Sequence, residues 1–234
     1  MRSRGDDSVG VAMKRLPLAR TPAVDRRTYI LEACRGRRVL HLGCVDHPFL
    51  RDRLASGDLL HAAIDEVAAE LWGIDLDRTG LETLRAAGFT NLYEADIERL
   101  ESAAIPGRFD VIVAGEIVEH LTSPGAFLRQ VPRLLAPEGR LLVTVPSAQS
   151  IRLIANALRR IEVVHPDHKA YFSPHTLTEL LASSGLAVVD LRPYWAKPRR
   201  TPTLYAAYDH MLYATKLISP WLGEGLVATA IASS

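Results

Sequence analysis

The segment VLHLGCVDH at residues 39–47 is an apolar run that stops at Gly43. A short apolar run that ends at glycine is typical of a buried strand followed by a tight turn. About thirty residues later, the segment GIDLD at 73–77 places Asp75 at the end of a second apolar run. Doubly wound sheets bind ligands outside the carboxyl ends of their strands. The two segments therefore predict neighbouring strands that end at one binding crevice.

Strands and helices are predicted to alternate along the rest of the chain. The pattern predicts strands at 38–42, 71–75, 91–95, 109–114, 140–145, 186–191 and 225–231. It predicts helices at 24–34, 55–71, 79–87, 124–135 and 151–160, one that starts at Ser173-Pro174, and one at 203–218. Crossover helices between strands imply a parallel sheet. We predict an α/β fold, Rossmann-like and doubly wound, whose mostly parallel seven-stranded sheet has helices on both faces.

Length and composition limit the possible partners. The 234 residues, 48% of them hydrophobic, suit one domain at 23–234 after a flexible N-terminal arm at 1–22. Lys and Arg total 28 against 27 Asp and Glu, which predicts no nucleic-acid partner. A helix that spans a membrane needs about 18 apolar residues in a row, and the sequence has no such run. Stable membrane insertion is therefore not predicted. Two cysteines without metal-ligand spacing, and no apolar segment near residue 1, favour the cytoplasm.

Acidic residues follow several predicted strands. The Asp75 carboxylate could accept both hydroxyls of a ribose, and Asp96 could accept the exocyclic amine of adenine. Glu116 ends the strand at 109–114 beside the same crevice. Alternatively, each Asp caps the helix that follows it, which is common at a strand-to-helix turn. Their order along the chain favours a nucleoside site.

Two further clusters carry ionisable groups. Glu116, Glu119 and His120 have a spacing that can aim Glu116 with Glu119 or His120 toward one point, and His120 could act as a general base. The alternative is that Glu119 and His120 only cap and support a helix. His165 and His168 lie in a polar loop and, with Asp167 nearby, could form a base or a metal site. They could equally be hydrogen-bonded surface residues, because the spacing matches no structural zinc pattern.

In combination with GEIVEHL at 115–121 and LLAPEGRLLVTVP at 134–146, the acidic strand ends resemble those of class I S-adenosylmethionine-dependent methyltransferases. The resemblance spans roughly 35–191 and favours the branch of the ubiquinone-biosynthesis O-methyltransferases. It implies S-adenosylmethionine as cofactor and a small-molecule acceptor, with a hydroxyl oxygen of a glycan, quinone-like or natural-product metabolite favoured. The segment 146–184 would then be an insertion that faces the acceptor.

The resemblance also implies roles for individual residues. The expected cofactor-binding residues are His41, Gly43, Cys44, Asp46, His47, Asp75, Leu76, Asp96, Ile97, Ala114 and Glu116. The expected catalytic residues are Glu119, His120, His165 and His168. In the relatives, clusters similar to Glu116, Glu119 and His120 are associated with a divalent cation such as Mg²⁺.

Two departures from the family pattern lie in the first turn. The family usually has an acidic residue where His41 stands, and a glycine-rich turn where this chain has CVDH at 44–47. Asp46 or His47 could take over part of the contact to the cofactor's amino group. The departures motivate an alternative, a non-catalytic binding or scaffold protein on a degenerate methyltransferase fold. A nicotinamide-dependent oxidoreductase is disfavoured, because the turn lacks G-x-G-x-x-G.

The predicted helix at 203–218 is rich in apolar and aromatic residues. It could be a lid, a face of a homodimer, a weak membrane contact or a helix packed on the sheet. Packing on the sheet is the favoured interpretation.

Overall fold

The computed structural model describes residues 15–102, 105–196 and 204–233. Most of the predicted N-terminal arm, residues 1–14, lies outside the described residues. Residues 15–22 are without helix or strand, and the carbonyl of Ala19 accepts a hydrogen bond from Trp221 Nε1 (2.8 Å). This contact holds that end of the chain against the C-terminal region.

Seven strands form one sheet in the order β3-β2-β1-β4-β5-β7-β6. They are β1 Arg38–Leu42, β2 Glu70–Asp75, β3 Leu92–Glu94, β4 Phe109–Gly115, β5 Leu135–Pro146, β6 Leu186–Tyr194 and β7 Gly225–Ala232. The first five pair in parallel, whereas β7 is antiparallel to both β5 and β6. The predicted fold is confirmed.

Eight α-helices accompany the strands in the described residues. They are α1 Arg26–Cys34, α2 Leu50–Ser56, α3 Leu60–Asp65, α4 Arg78–Ala86, α5 Pro124–Leu128, α6 Ile151–Leu158, α7 Pro174–Ala182 and α8 Leu204–Ala214. Ser173 caps α7 and shares a capping box with Thr176, as the Ser-Pro pair indicates. Among the helices the structure describes, none is long and apolar enough to cross a membrane.

The single helix predicted at 55–71 is wrong. The chain forms α2 and α3 instead, and β2 already begins at Glu70. Gly57 ends α2 in the left-handed conformation (φ +72°), where its amide contacts the carbonyls of Arg53 and Leu54. A glycine in this conformation is a common helix stop, so the apolar spacing across it joined two separate elements.

The helix predicted at 124–135 is also too long. α5 ends at Leu128, and a 3₁₀ turn at Val131–Leu134 leads directly into β5. Pro132 lies in that turn, and a proline inside a helix removes a backbone hydrogen bond and clashes with the preceding turn. β5 therefore starts at Leu135, beside Phe109 of β4.

α8 packs against the body of the protein on one side. Leu212 is buried, and the ring of Tyr213 meets Trp195 edge-on at 5.7 Å. Met211 on the helix, and Leu217 and Ile218 just beyond it, are exposed. The predicted packing of this helix on the protein is therefore found for one face of the helix only. A role as a dimer face or a lid stays a prediction.

The sheet order places β1 and β4 side by side at its centre, with crossovers leaving in opposite directions from them. This is the switch point at which doubly wound sheets bind ligands. Gly43, Asp75 and Glu116 follow or end the strands β1, β2 and β4, so the fold brings all three to the same edge.

Candidate functional site

A cleft of about 540 Å³ opens at this edge of the sheet. Ten of the predicted site residues line it: His41, Gly43, Cys44, Asp46, His47, Asp75, Glu116, His120, His165 and His168. We call the part at the ends of β1 and β2 the cofactor side. The part at the end of β4, together with Glu119 behind it and the loop that carries His165 and His168, is the acceptor side. One continuous cleft therefore joins the two groups that the sequence predicts separately.

Gly43 makes the turn after β1. Its φ is +71°, and its amide donates to the carbonyl of Ile74 (2.8 Å). A Cβ at this position would collide with the side chain of Ile117. Only glycine satisfies both the backbone conformation and the close approach of the β4 turn.

Asp75 holds the turns that follow β1 and β2. One carboxylate oxygen accepts from the amide of Val45 (2.9 Å) and the other from the amide of Asp77 (3.0 Å). The helix cap is the neighbouring Asp77, which accepts from the amide of Gly80 (3.0 Å). An ionised carboxylate can accept about four hydrogen bonds. Asp75, which lines the cleft, therefore keeps acceptor capacity for a ligand.

His41, which stands where the relatives have an acid, is buried and stacked on His61. The ring centroids are 5.4 Å apart, and the two Nδ1 atoms are 3.2 Å apart. Burial lowers the pKa of His61 to about 4, and burial together with His61 and Arg26 lowers the pKa of His41 well below its usual range. Both rings are therefore neutral at pH 7. The cleft holds a hydrogen-bonded imidazole pair in place of a negative charge.

Asp46 and His47 are the substitutes expected for that acid. Asp46 adopts φ +59° and forms an ion pair with Arg53, so its charge is already compensated. The His47 side chain is 76% exposed, with Nδ1 3.4 Å from a carboxylate oxygen of Asp77. Both residues line the cleft, although neither offers an unpaired charge to a ligand.

Four predicted cofactor residues do not line the cleft itself. Asp96 accepts from the amide of Glu98 (2.9 Å), which is the local turn role that was the alternative for it. Ile97 and Ala114 are buried in the core. Leu76 is 64% exposed just beyond Asp75. Cofactor contacts by these four residues stay predictions.

Glu116 is held by groups from distant parts of the chain. Its φ is +56°, and its amide donates to the carbonyl of Thr144 (2.9 Å). Its carboxylate accepts from the Tyr194 hydroxyl (3.0 Å) and lies 3.9 Å from Arg26 Nε. Burial, followed by the charge of Glu116, raises the pKa of Tyr194 well above its usual range. Sequence reasoning missed Arg26, Thr144 and Tyr194, because nothing local in the sequence indicates that they meet.

Glu119 is buried in the 3₁₀ turn Val118–His120. Neither of its carboxylate oxygens has a hydrogen-bond partner among the described residues. Burial, followed by the charge of Glu116, raises its pKa to about 8. The nearest polar group that the structure pairs with it is His168 Nε2, 3.9 Å from Oε1. Glu119 is thus a buried acid behind the histidines of the cleft.

His120, His165 and His168 form one group, which we call the histidine cluster. Their ring centroids are 4.7 to 5.3 Å apart. Lys169 fixes the loop that carries two of them, since its Nζ donates to the carbonyl of His120 (2.7 Å) and its amide to the carbonyl of Glu119 (2.8 Å). Burial and the neighbouring rings lower the pKa of both His120 and His168.

The predicted magnesium ligands Glu116, Glu119 and His120 do not suit that ion. Mg²⁺ demands octahedral oxygen ligands and keeps several waters. Glu116 already engages Tyr194 and Arg26, and Glu119 is enclosed. Among the described residues, the group whose potential ligand atoms all lie within 4.8 Å of one another is the histidine cluster. We derive no step through Mg²⁺.

A family model described as "methyltransferase domain" matches residues 18–191 of this chain. The chain belongs to this family. It is a class I S-adenosylmethionine-dependent methyltransferase domain, as the resemblance of the strand ends implies. A seven-stranded sheet with one antiparallel strand and a cleft at its switch point is what this assignment requires.

Curated relatives and solved structures agree with the family. The ubiquinone biosynthesis O-methyltransferase of Neisseria meningitidis serogroup C is 29% identical over 169 residues, covering 68% of this chain and 67% of that protein. That of Aeromonas salmonicida is 24% identical over 166 residues, covering 67% and 65%. The chain therefore spans about two thirds of the length of these relatives. The S-adenosylmethionine-dependent methyltransferase of Mesorhizobium loti shares the fold, with a TM-score of 0.55 at 18% identity over 87% of this chain and 94% of that one.

Proposed function

We propose that this methyltransferase transfers the methyl group to a hydroxyl oxygen of a small molecule of the glycan, quinone-like or natural-product class. The observation that carries the proposal is one continuous cleft, which is lined both by Gly43 and Asp75 and by the histidine cluster. A methyl donor on one side and an oxygen held on the other would meet within this volume. The names of the O-methyltransferase relatives support the choice of oxygen.

The cofactor would lie across the ends of β1 and β2. Gly43 lets the methionine part approach the backbone, and the remaining lone pairs of Asp75 accept the ribose hydroxyls. Arg26 lines the same cleft and offers a guanidinium suited to a carboxylate. Since His41 and His61 are neutral, the cofactor's amino group would meet an imidazole rather than an acid.

The acceptor would lie on the acceptor side, so that the segment 146–184 supplies two of its contacts through His165 and His168. In the reaction, a lone pair of the acceptor oxygen forms the new bond to the methyl carbon while the carbon–sulfur bond breaks. The electron pair of that bond stays on sulfur, which leaves neutral S-adenosylhomocysteine. The acceptor's proton passes to an imidazole of the cluster and then to water. Alignment of the oxygen with the methyl supplies much of the rate.

The test is an acceptor screen with a cofactor control. The purified chain is incubated with S-adenosylmethionine and a panel of phenols, catechols and sugar hydroxyls, and mass spectrometry follows both the methylated product and S-adenosylhomocysteine. We expect product from at least one hydroxyl acceptor and none from matched amines or thiols. Turnover of amines or thiols alone would overturn the choice of oxygen. Absence of both turnover and cofactor binding would favour a non-catalytic scaffold.

A further inference from the structure

We propose that His61 is a positioning residue for the methyl donor: it fixes the ring of His41 so that His41 Nε2 accepts a hydrogen bond from the amino group of the cofactor's methionine part. The inference rests on the proposed function, in which that part lies at the turn around Gly43. His41 and His61 both line the cleft. Their Nδ1 atoms are 3.2 Å apart, and their stacked rings have centroids 5.4 Å apart. The pair is thus one hydrogen-bonded unit on the cofactor side.

A hydrogen bond between two Nδ1 atoms restricts the protons of both rings. A neutral imidazole carries one ring proton, so one Nδ1 donates and the other accepts. If His41 donates, its Nε2 keeps a free lone pair, and His61 carries its own proton on Nε2. If His61 donates, His41 carries its proton on Nε2 and can only donate there. The charged amino group of the cofactor offers only donors, so a bound cofactor selects the first arrangement.

The surroundings of His41 keep its ring neutral and leave its orientation to α3. Burial lowers the pKa of His61 to about 4, and burial, His61 and Arg26 together lower the pKa of His41. The neighbours of His41 on the adjacent strands are Gly73 and Val113, which have no polar side chain. The hydrogen-bond partner of His41 Nδ1 therefore comes from α3, where His61 lies, and not from the sheet.

Packing from two further segments holds His61 in place. The residue is 1% exposed, and a Cβ at Gly73 would lie 2.9 Å from its Cε1, so a side chain on β2 would displace the ring. The Phe89 ring meets it at 5.4 Å between centroids. A buried polar side chain is costly unless it is hydrogen-bonded, and the partner that the structure gives His61 is His41. That hydrogen bond explains a histidine at this buried position of α3.

Two carboxylates of the same cleft are already engaged by arginines. Asp46, a substitute expected for the missing acid, forms an ion pair with Arg53. Glu116 lies 3.9 Å from Arg26 Nε. His41, in contrast, stands where the relatives have an acid, and it offers a hydrogen bond without a charge. A hydrogen bond weakens steeply when donor and acceptor are misaligned, so the contact depends on the orientation of the His41 ring.

The test is calorimetric titration of the full chain, at neutral pH, with S-adenosylhomocysteine and with its deaminated analogue, in which hydrogen replaces the amino group. The wild type should bind the complete ligand at least about tenfold more tightly, because a hydrogen bond to a charged group is worth that much. His61→Leu should lose about fivefold or more in affinity for S-adenosylhomocysteine and less than about twofold for the analogue. His61→Asn, whose side-chain oxygen can accept from His41 Nδ1, should restore most of the affinity. His175→Leu is the matched control, because His175 pairs with Glu179 and does not line the cleft.

A second measurement reads the tautomers directly. With the histidine ring nitrogens isotope-labelled, the NMR shifts of the complex with S-adenosylhomocysteine should show His41 protonated at Nδ1 and His61 at Nε2. The reverse tautomers, or a charged pair, would overturn the inference. Equal losses for both ligands in His61→Leu would also overturn it, because they indicate a purely structural role. Binding of S-adenosylhomocysteine with no preference over the analogue refutes this inference alone, whereas absence of binding by either ligand refutes the proposed function as well.

Discussion

At the ends of β1 and β2 the polar groups of the cleft have partners within the chain, whereas at the end of β4 several have no hydrogen-bond partner among the described residues. Asp75 accepts two backbone amides, and His41 pairs with His61. Within the part of the chain that the structure describes, both carboxylate oxygens of Glu119 and Nδ1 of His168 are buried without a hydrogen-bond partner. The cofactor side is therefore preorganised by the fold, while the acceptor side is left incomplete. An incomplete polar cluster beside a finished one is expected where a second ligand must bind.

The largest expected effect separates chemistry from cofactor binding. His120→Gln should lower kcat for the first accepted hydroxyl substrate by about a hundredfold or more, because a positioned base or ligand is worth that much. Its affinity for S-adenosylhomocysteine should stay within about twofold, because His120 belongs to the other side of the cleft. Steady-state kinetics and calorimetry check the two parts. His175→Gln is the control, and equal loss of affinity and rate in His120→Gln would break the distinction.

A second prediction tests the cofactor side. Asp75→Ala should weaken S-adenosylhomocysteine binding by at least about tenfold, because two charge-assisted hydrogen bonds to the ribose disappear. Asp77→Asn keeps the cap of α4 and should bind normally. Calorimetric titration, run well below the melting temperature of each variant, measures both. Near-normal affinity of Asp75→Ala would remove the ribose assignment.

The imidazole pair predicts a dependence of stability on pH. The pKa of His61 is lowered to about 4 in the fold, so the unfolded chain binds its proton first as the pH falls. The contribution of neutral His61 to the free energy of unfolding is therefore fully present above the pKa that His61 has in the unfolded chain. It is lost as the pH falls below that value. From about pH 7.5 to about pH 5.5 the loss attributable to His61 should be on the order of 1 kcal/mol.

Urea unfolding of wild type and His61→Gln at both pH values checks this. Arg26, whose charge lowers the pKa of His41, and His41 itself both remain in the variant. The wild type should lose more stability than the variant. Parallel losses in the two proteins would show that His61 is not buried in its neutral form.

The smallest effect concerns the loop. Lys169 joins the histidine loop to the β4 turn through His120 and Thr122. Lys169→Met should raise KM for the acceptor by a few-fold, because an exposed tether of this kind contributes about 1 kcal/mol. Binding of S-adenosylhomocysteine should not change, and Lys216→Met, which alters a lysine beside Tyr213, is the control. A change in the affinity for S-adenosylhomocysteine would contradict the placement of this loop on the acceptor side of the cleft.

The two sides also differ in what the sequence reveals. The strands and the ends at Gly43, Asp75 and Glu116 are local patterns, so they could be predicted. Gly57 and Pro132 are residues that commonly end helices, so the sequence does contain a local sign of both helix ends. The two helices were predicted too long because the apolar spacing continues past these residues. The contact of Arg26 with Thr144 joins residues 118 positions apart, and no local pattern encodes such a meeting.

The predicted magnesium set illustrates the same limit on the acceptor side. Spacing within 116–120 indicates which side chains are near in sequence, but the partners of Glu116 come from α1 and β6. His165 and His168 reach His120 only because the loop folds back and Lys169 secures it. The residues of the cluster could be suspected from sequence, whereas their assembly depends on tertiary packing.

Calorimetric titration of the chelator-treated wild-type chain with S-adenosylhomocysteine tests the central claim most directly, because it requires no acceptor and no metal. A preorganised cofactor side predicts one site with micromolar affinity in the absence of any added ion. No heat of binding at millimolar ligand would contradict the account, and it would make the imidazole pair at His41 the mark of a cleft that no longer holds the methyl donor.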